Sequence, residues 1–128
     1  MNVEDYFGSV ARSLEAQSAV VSVDVLASLA SDAYNGLLNV RVWFWDDSYL
    51  DLYEVVNTEL GYPVRVHYSY AYLRKEQHVF RYDNAPHYPD IITFPHHRHV
   101  GIEEEVVPAE QPSLGDVLSE IVELLSST

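Results

Sequence analysis

Two long runs of this chain alternate strictly. In "LLNVRVWFW" Leu38, Val40, Val42 and Phe44 stand at one parity, with Asn39, Arg41, Trp43 and Trp45 at the other. In "VRVHYSYAYL" Val64, Val66, Tyr68, Tyr70 and Tyr72 alternate with Arg65, His67, Ser69 and Ala71. A period of two gives a β-strand one apolar and one polar face. "VVSVDVL" adds a third strand with Val21, Val23 and Val25 on one side. The joints are short. "DDS" at 46–48 signals a hairpin into the return strand "YLDLYEVV", and "RKEQ" turns the chain into "HVFRYDN". Gly61 and Pro63 break the chain before the long strand. Consecutive strands joined this way form an antiparallel meander, here of about five strands.

The two ends read as helices. Val3, Tyr6, Phe7, Val10 and Leu14 recur at helical spacing over 3–17, although Gly8 weakens the pattern. Near the other end, Ser113 is placed to cap a helix over 113–126. Its apolar stripe is Leu114, Val117, Leu118, Ile121, Val122 and Leu125, and Asp116 lies in the first turn, where the helix dipole favours it. The expected fold is therefore α+β: a single antiparallel sheet flanked by an N-terminal and a C-terminal helix, in one domain spanning 1–128. The faces Val21/Val23/Val25 and Val40/Val42/Phe44 are expected to be buried under the helices. Prolines crowd residues 85–112, which show no sustained period and read mostly as loop. No internal repeat or glycine-rich phosphate loop stands out.

Charge is distributed unevenly. The net formal charge is −13, which opposes nonspecific binding to nucleic acid. Residues 61–100 nevertheless hold five of the seven cationic side chains, only three acids and all six histidines. The rest of the chain sets two arginines against 17 acids. Lys75 is the only lysine, and such an acid-rich, lysine-poor surface also suits solubility at high salt. There is no apolar run of about 18 residues, so no membrane span is expected. "MNVEDYFGSV" lacks the features of a signal peptide, and the absence of cysteine fits a cytoplasmic location.

The stretch "RYDNAPHYPDIITFPHHRHV", Arg81–Val100, concentrates chemistry-bearing residues. Arg81 and Asp83 share a strand face, where they form a salt bridge or meet a phosphate and orient a histidine. In "PHHRH", an extended chain places His97 and His99 on one face, with His96 turned away. Three readings stand for these imidazoles: structural hydrogen bonding, acid–base chemistry, or metal ligation by His87, His97 and His99. Tyr68, Tyr70 and Tyr72 are either a ladder for stacking bases or ordinary strand packing. The chain is expected to fold back after Asn84-Ala85-Pro86, with Phe94 anchoring the return. That return would gather Arg81, His87 and at least two of His96, His97 and His99 around one cleft. "EEE" at 103–105 reads as a solvated acidic turn.

"YSYAY", "FRYDNAPHYPD" and "TFPHHRH", followed by an amphipathic helix, resemble the TumE family of toxin–antitoxin proteins. The likeness spans nearly the whole domain and is residue-specific from Tyr68 to His99. It covers Tyr68, Ser69, Tyr70, Tyr72, Phe80, Arg81, Tyr82, Asp83, Asn84, Pro86, His87, Phe94, Pro95, His96, His97 and His99. Tyr88 stands where the family pattern has a second histidine, Asp90 where it has glutamate, and Arg98 where it has lysine. The resemblance implies a small cytoplasmic toxin with a helix-turn-helix antitoxin as partner and RNA as the leading substrate. On that reading His97 or His99 is the base and His87 or His96 the acid. Arg81 binds phosphate and Asp83 orients a partner. Tyr68, Tyr70, Asn84 and Arg98 contact substrate, and no cofactor is required. A homodimer is compatible with the sequence. A non-enzymatic protein-binding module is the reading from another class.

Overall fold

The computed structural model describes residues 1–126. Its elements are α1 (Val3–Ala16), β1 (Val20–Ala30), β2 (Asn35–Phe44), β3 (Tyr49–Asn57), β4 (Val64–Arg74), β5 (Gln77–Asp83), β6 (His97–Val100), β7 (Glu105–Pro108) and α2 (Leu114–Ser126). The strands form one antiparallel sheet in the order β1 to β7, so spatial order repeats chain order. The meander thus has seven strands where about five were expected. The two extra ones, β6 and β7, have four residues each, too few to show a period.

Both helices cover the same face of the sheet. Val10 and Leu14 of α1 and Val117, Leu118, Ile121 and Leu125 of α2 join the core. From the sheet come Leu38, Val40, Val42, Phe44, Leu50, Leu52, Tyr70, Tyr72 and Phe80. The β2–β3 hairpin turns at Asp47, which takes a positive φ of 67°. The β4–β5 hairpin turns through Lys75 and Glu76, at φ 52° and 62°; two left-handed residues match the twist of the paired strands. Gly36 admits the closest approach of α1. A Cβ there would lie 2.8 Å from both the Leu29 carbonyl oxygen and the Phe7 ring.

β-bulges correct the expected faces. Register shifts between Val20 and Ser22 and between Val25 and Ala27 interrupt the alternation of β1. Val23, opposite Val42, packs against the core, but Val21 and Val25 are each 62% exposed at this edge of the sheet. In β4, Arg65 pairs with Val56 and His67 with Val55, so Val66 is the inserted residue. Val64 and Val66 are consequently exposed, and Arg65 turns to the helix side, where its Nη1 donates to the Tyr70 hydroxyl at 2.7 Å.

Candidate functional site

The register of β3 to β6 lays two rows of side chains across the face opposite the helices. One row runs Tyr53, Ser69, Asp83, His97; the next runs Asp51, Ala71, Arg81, His99. Asp83 and Arg81 therefore neighbour both imidazoles as a consequence of pairing. The segment 84–96 lines this face with Asn84, Ala85, His87 and Tyr88. It begins where the Asp83 carboxylate accepts from the Ala85 N–H at 3.0 Å, and the Asn84 amide clamps it to β4 through Val66 and Tyr68. Thr93 fixes its far end. The Thr93 hydroxyl donates to the His96 carbonyl at 2.6 Å and accepts from the Ala109 N–H at 3.1 Å. Phe94, expected to anchor this return, is 45% exposed; hydrogen bonds rather than a buried ring hold the loop.

Beside this segment Asp83, His97 and His99 converge, all buried. His97 Nε2 is 2.9 Å from Asp83 Oδ1, His99 Nε2 is 3.4 Å from Asp83 Oδ2, and the two Nε2 atoms are 3.1 Å apart. The other ring nitrogens face carbonyl oxygens: His97 Nδ1 that of Pro95 at 2.9 Å, His99 Nδ1 that of Glu104 at 3.3 Å. A carbonyl only accepts, so each Nδ1 carries the proton. Arg81 donates from Nε to Asp83 at 3.0 Å and from Nη1 to Glu104 at 2.9 Å. Burial first, and the Arg81 charge second, hold the His99 imidazole below its ordinary pKa. Glu104 has a positive φ of 53°, and from that strained position it serves both Arg81 and His99.

This cluster lies on an open cleft of about 390 Å³, lined also by Tyr53, His67, Ser69, Asn84, His87 and Tyr88. That volume is in the range of small-molecule sites. The Tyr88 ring stands edge-on to His97, with centroids 4.9 Å apart. Arg81, Asp83, Asn84, His87, His97 and His99 thus share one cleft.

Other candidate residues fall elsewhere. His96 lines a separate cavity with Ile92, Thr93, Glu110 and Gln111, and its Nδ1 meets the Tyr68 hydroxyl at 2.9 Å. Arg98 lies on the helix side, in the row Leu52, Tyr70, Tyr82, Arg98, and pairs there with Glu120 of α2. It is therefore withdrawn from the cleft. Tyr70 lies outside the cleft, and Tyr68 borders it, but at 0% and 2% exposed their rings belong to the core and offer no stacking platform. The proposed metal trio changes as well: Asp83 joins His97 and His99, while exposed His87 is not part of the group. His67, Ser69, Tyr53 and Tyr88 also line the cleft but were not among the site residues expected from the sequence. The first two carried a signal, since they share a parity in "VRVHYSYAYL".

The family model described as Toxin TumE matches residues 10–125. No curated protein matched the chain, and no solved structure did.

Proposed function

The chain belongs to the TumE toxin family, and from that premise we propose that it cleaves RNA in the cleft over β4, β5 and β6. As a toxin of this family it has an antitoxin partner. The observation that supports an RNA-cleaving reading is the buried Asp83–His97–His99 cluster at the floor of an open cleft. Cleavage at a 2′-hydroxyl requires a proton acceptor at the nucleophile and a donor at the leaving oxygen. The cluster is the basic centre. His67 and His87, exposed on the lining, are the side chains placed to donate to the leaving oxygen. Tyr53 and Tyr88, each 36% exposed, are the cleft rings open to a base. Arg81 is held by two carboxylates, so it positions Asp83 rather than gripping phosphate alone.

The test is cleavage of labelled single-stranded RNA by the purified chain, with and without divalent cations. His97→Ala and His99→Ala are each expected to slow cleavage by roughly 10²–10⁴-fold. His96→Ala should leave the rate unchanged. Melting curves of the same samples separate lost chemistry from lost folding. Intact RNA with wild-type protein under all these conditions would rule the reading out.

For the partner, we propose a basic helix-turn-helix protein, because the strongly acidic chain complements such a surface.

A further inference from the structure

We propose that Asp83, His97 and His99 bind one divalent transition-metal ion, Zn²⁺ best, through the two Nε2 atoms and the carboxylate. The chemical use of the ion rests on the RNA-cleaving reading, in which a water on the ion replaces the imidazoles as proton acceptor; its binding does not.

The tautomers come first. Because both Nδ1 atoms donate to backbone carbonyls, each neutral imidazole presents an Nε2 lone pair to the centre of the cluster. Two lone pairs 3.1 Å apart, beside a carboxylate, repel unless positive charge lies among them. One added proton on a ring nitrogen serves one of these contacts well. A cation serves all three together.

The spacing agrees. Zinc binds nitrogen and oxygen at about 2.0–2.2 Å, which sets neighbouring donors about 2.8–3.6 Å apart for right-angled to tetrahedral arrangements. The two Nε2 atoms are 3.1 Å apart, and His97 Nε2 and His99 Nε2 lie 2.9 and 3.4 Å from different oxygens of the Asp83 carboxylate, so an ion among them meets both nitrogens and the carboxylate edge.

The surroundings also resemble those of a metal centre. Histidine ligands ordinarily donate their other N–H to a carbonyl or carboxylate, and ligating carboxylates are themselves hydrogen-bonded. Both conditions hold, with Ala85 N–H on one Asp83 oxygen and Arg81 Nε on the other. Three protein ligands beside an open cleft leave a position for water or substrate. Two imidazoles select zinc and its first-row neighbours over Mg²⁺ and Ca²⁺, which prefer oxygen.

Charge gives the ion a purpose. Arg81 is the only Arg or Lys among the residues lining the cleft, and Asp83 and Glu104 both neutralise it. A phosphodiester entering the cleft would meet little net positive charge without the ion.

The experiment uses the full chain, stripped with a chelator and dialysed. Co²⁺ is titrated in while its visible absorption is followed, and Zn²⁺ is then added as competitor. One saturable site per chain is expected, displaced by Zn²⁺ and not by Mg²⁺. The signal should vanish in His97→Ala and His99→Ala and survive in His87→Ala and His96→Ala. Should an alanine variant lose its fold, imidazole ¹⁵N spectra of the wild type decide: Zn²⁺ should shift two Nε2 resonances whose Nδ1 partners stay protonated. No saturable binding, or binding that persists in both folded variants, would overturn the site. Binding without RNA cleavage keeps the site and removes the RNA reading. Cleavage by chelated protein that binds no ion does the reverse.

Discussion

Glu54 is a carboxylate placed in the helix-side core, only 1% exposed. It accepts from the Tyr6 hydroxyl at 2.6 Å and from the Tyr70 hydroxyl, with Arg65 beyond Tyr70. Burial, then the neighbouring carboxylate, drives both phenols far above the ordinary tyrosine pKa, so they remain donors. Glu54→Ala removes the acceptor of both hydroxyls and takes away the carboxylate that lies beyond Tyr70 from half-buried Arg65. We expect it to cost about 3–5 kcal/mol, read from denaturant midpoints. Parity alone exposes the anomaly, because Leu50, Leu52, Glu54 and Val56 share the core face of β3. Its partners were not legible, since Tyr6 comes from α1 and Arg65 from β4 beyond a bulge. The same distinction governs the cleft. That His97 and His99 share a face follows from their spacing. That Asp83 completes them depends on the β5–β6 register, set across a segment, 84–96, with no period to read.

At the scale of elements, α2 begins with a reciprocal cap. Ser113 Oγ accepts from the Asp116 N–H at 3.0 Å, and Asp116 accepts from the Ser113 N–H at 3.1 Å. Ser113→Ala should cost about 1 kcal/mol, measured by thermal or chemical unfolding. The hydrogen bond from the Ser113 backbone N–H first, and the Ser113 hydroxyl second, hold the Asp116 carboxyl below its usual pKa. The sign follows from linkage. A depressed folded-state pKa contributes stability above the ordinary aspartate pKa, and that part is lost as pH falls through the folded value. Asp116→Asn should therefore flatten the acid limb of the stability profile. This cap and both amphipathic stripes were readable because their signals lie within a few residues. Gly36 was not, because the close approach of α1 is a tertiary fact. Gly36→Ala should lower the melting temperature, since its methyl would meet a backbone carbonyl that cannot turn aside.

For the whole molecule, net charge of −13 opposes the RNA-cleaving reading and favours a basic protein partner. The antitoxin complex should weaken as ionic strength rises, as titrations at several salt concentrations would show. An affinity indifferent to salt would point to apolar contact instead. Sheet order has a different consequence, for biosynthesis. Each strand pairs with the one made just before it, so a chain leaving the ribosome finds its neighbour already present. The cleft is completed late, since His97 and His99 follow five finished strands and Glu104 follows them. A product cut short before His97 would carry most of the sheet and neither cluster imidazole. An antitoxin that recognises the earlier strands could therefore engage the chain before the cluster exists.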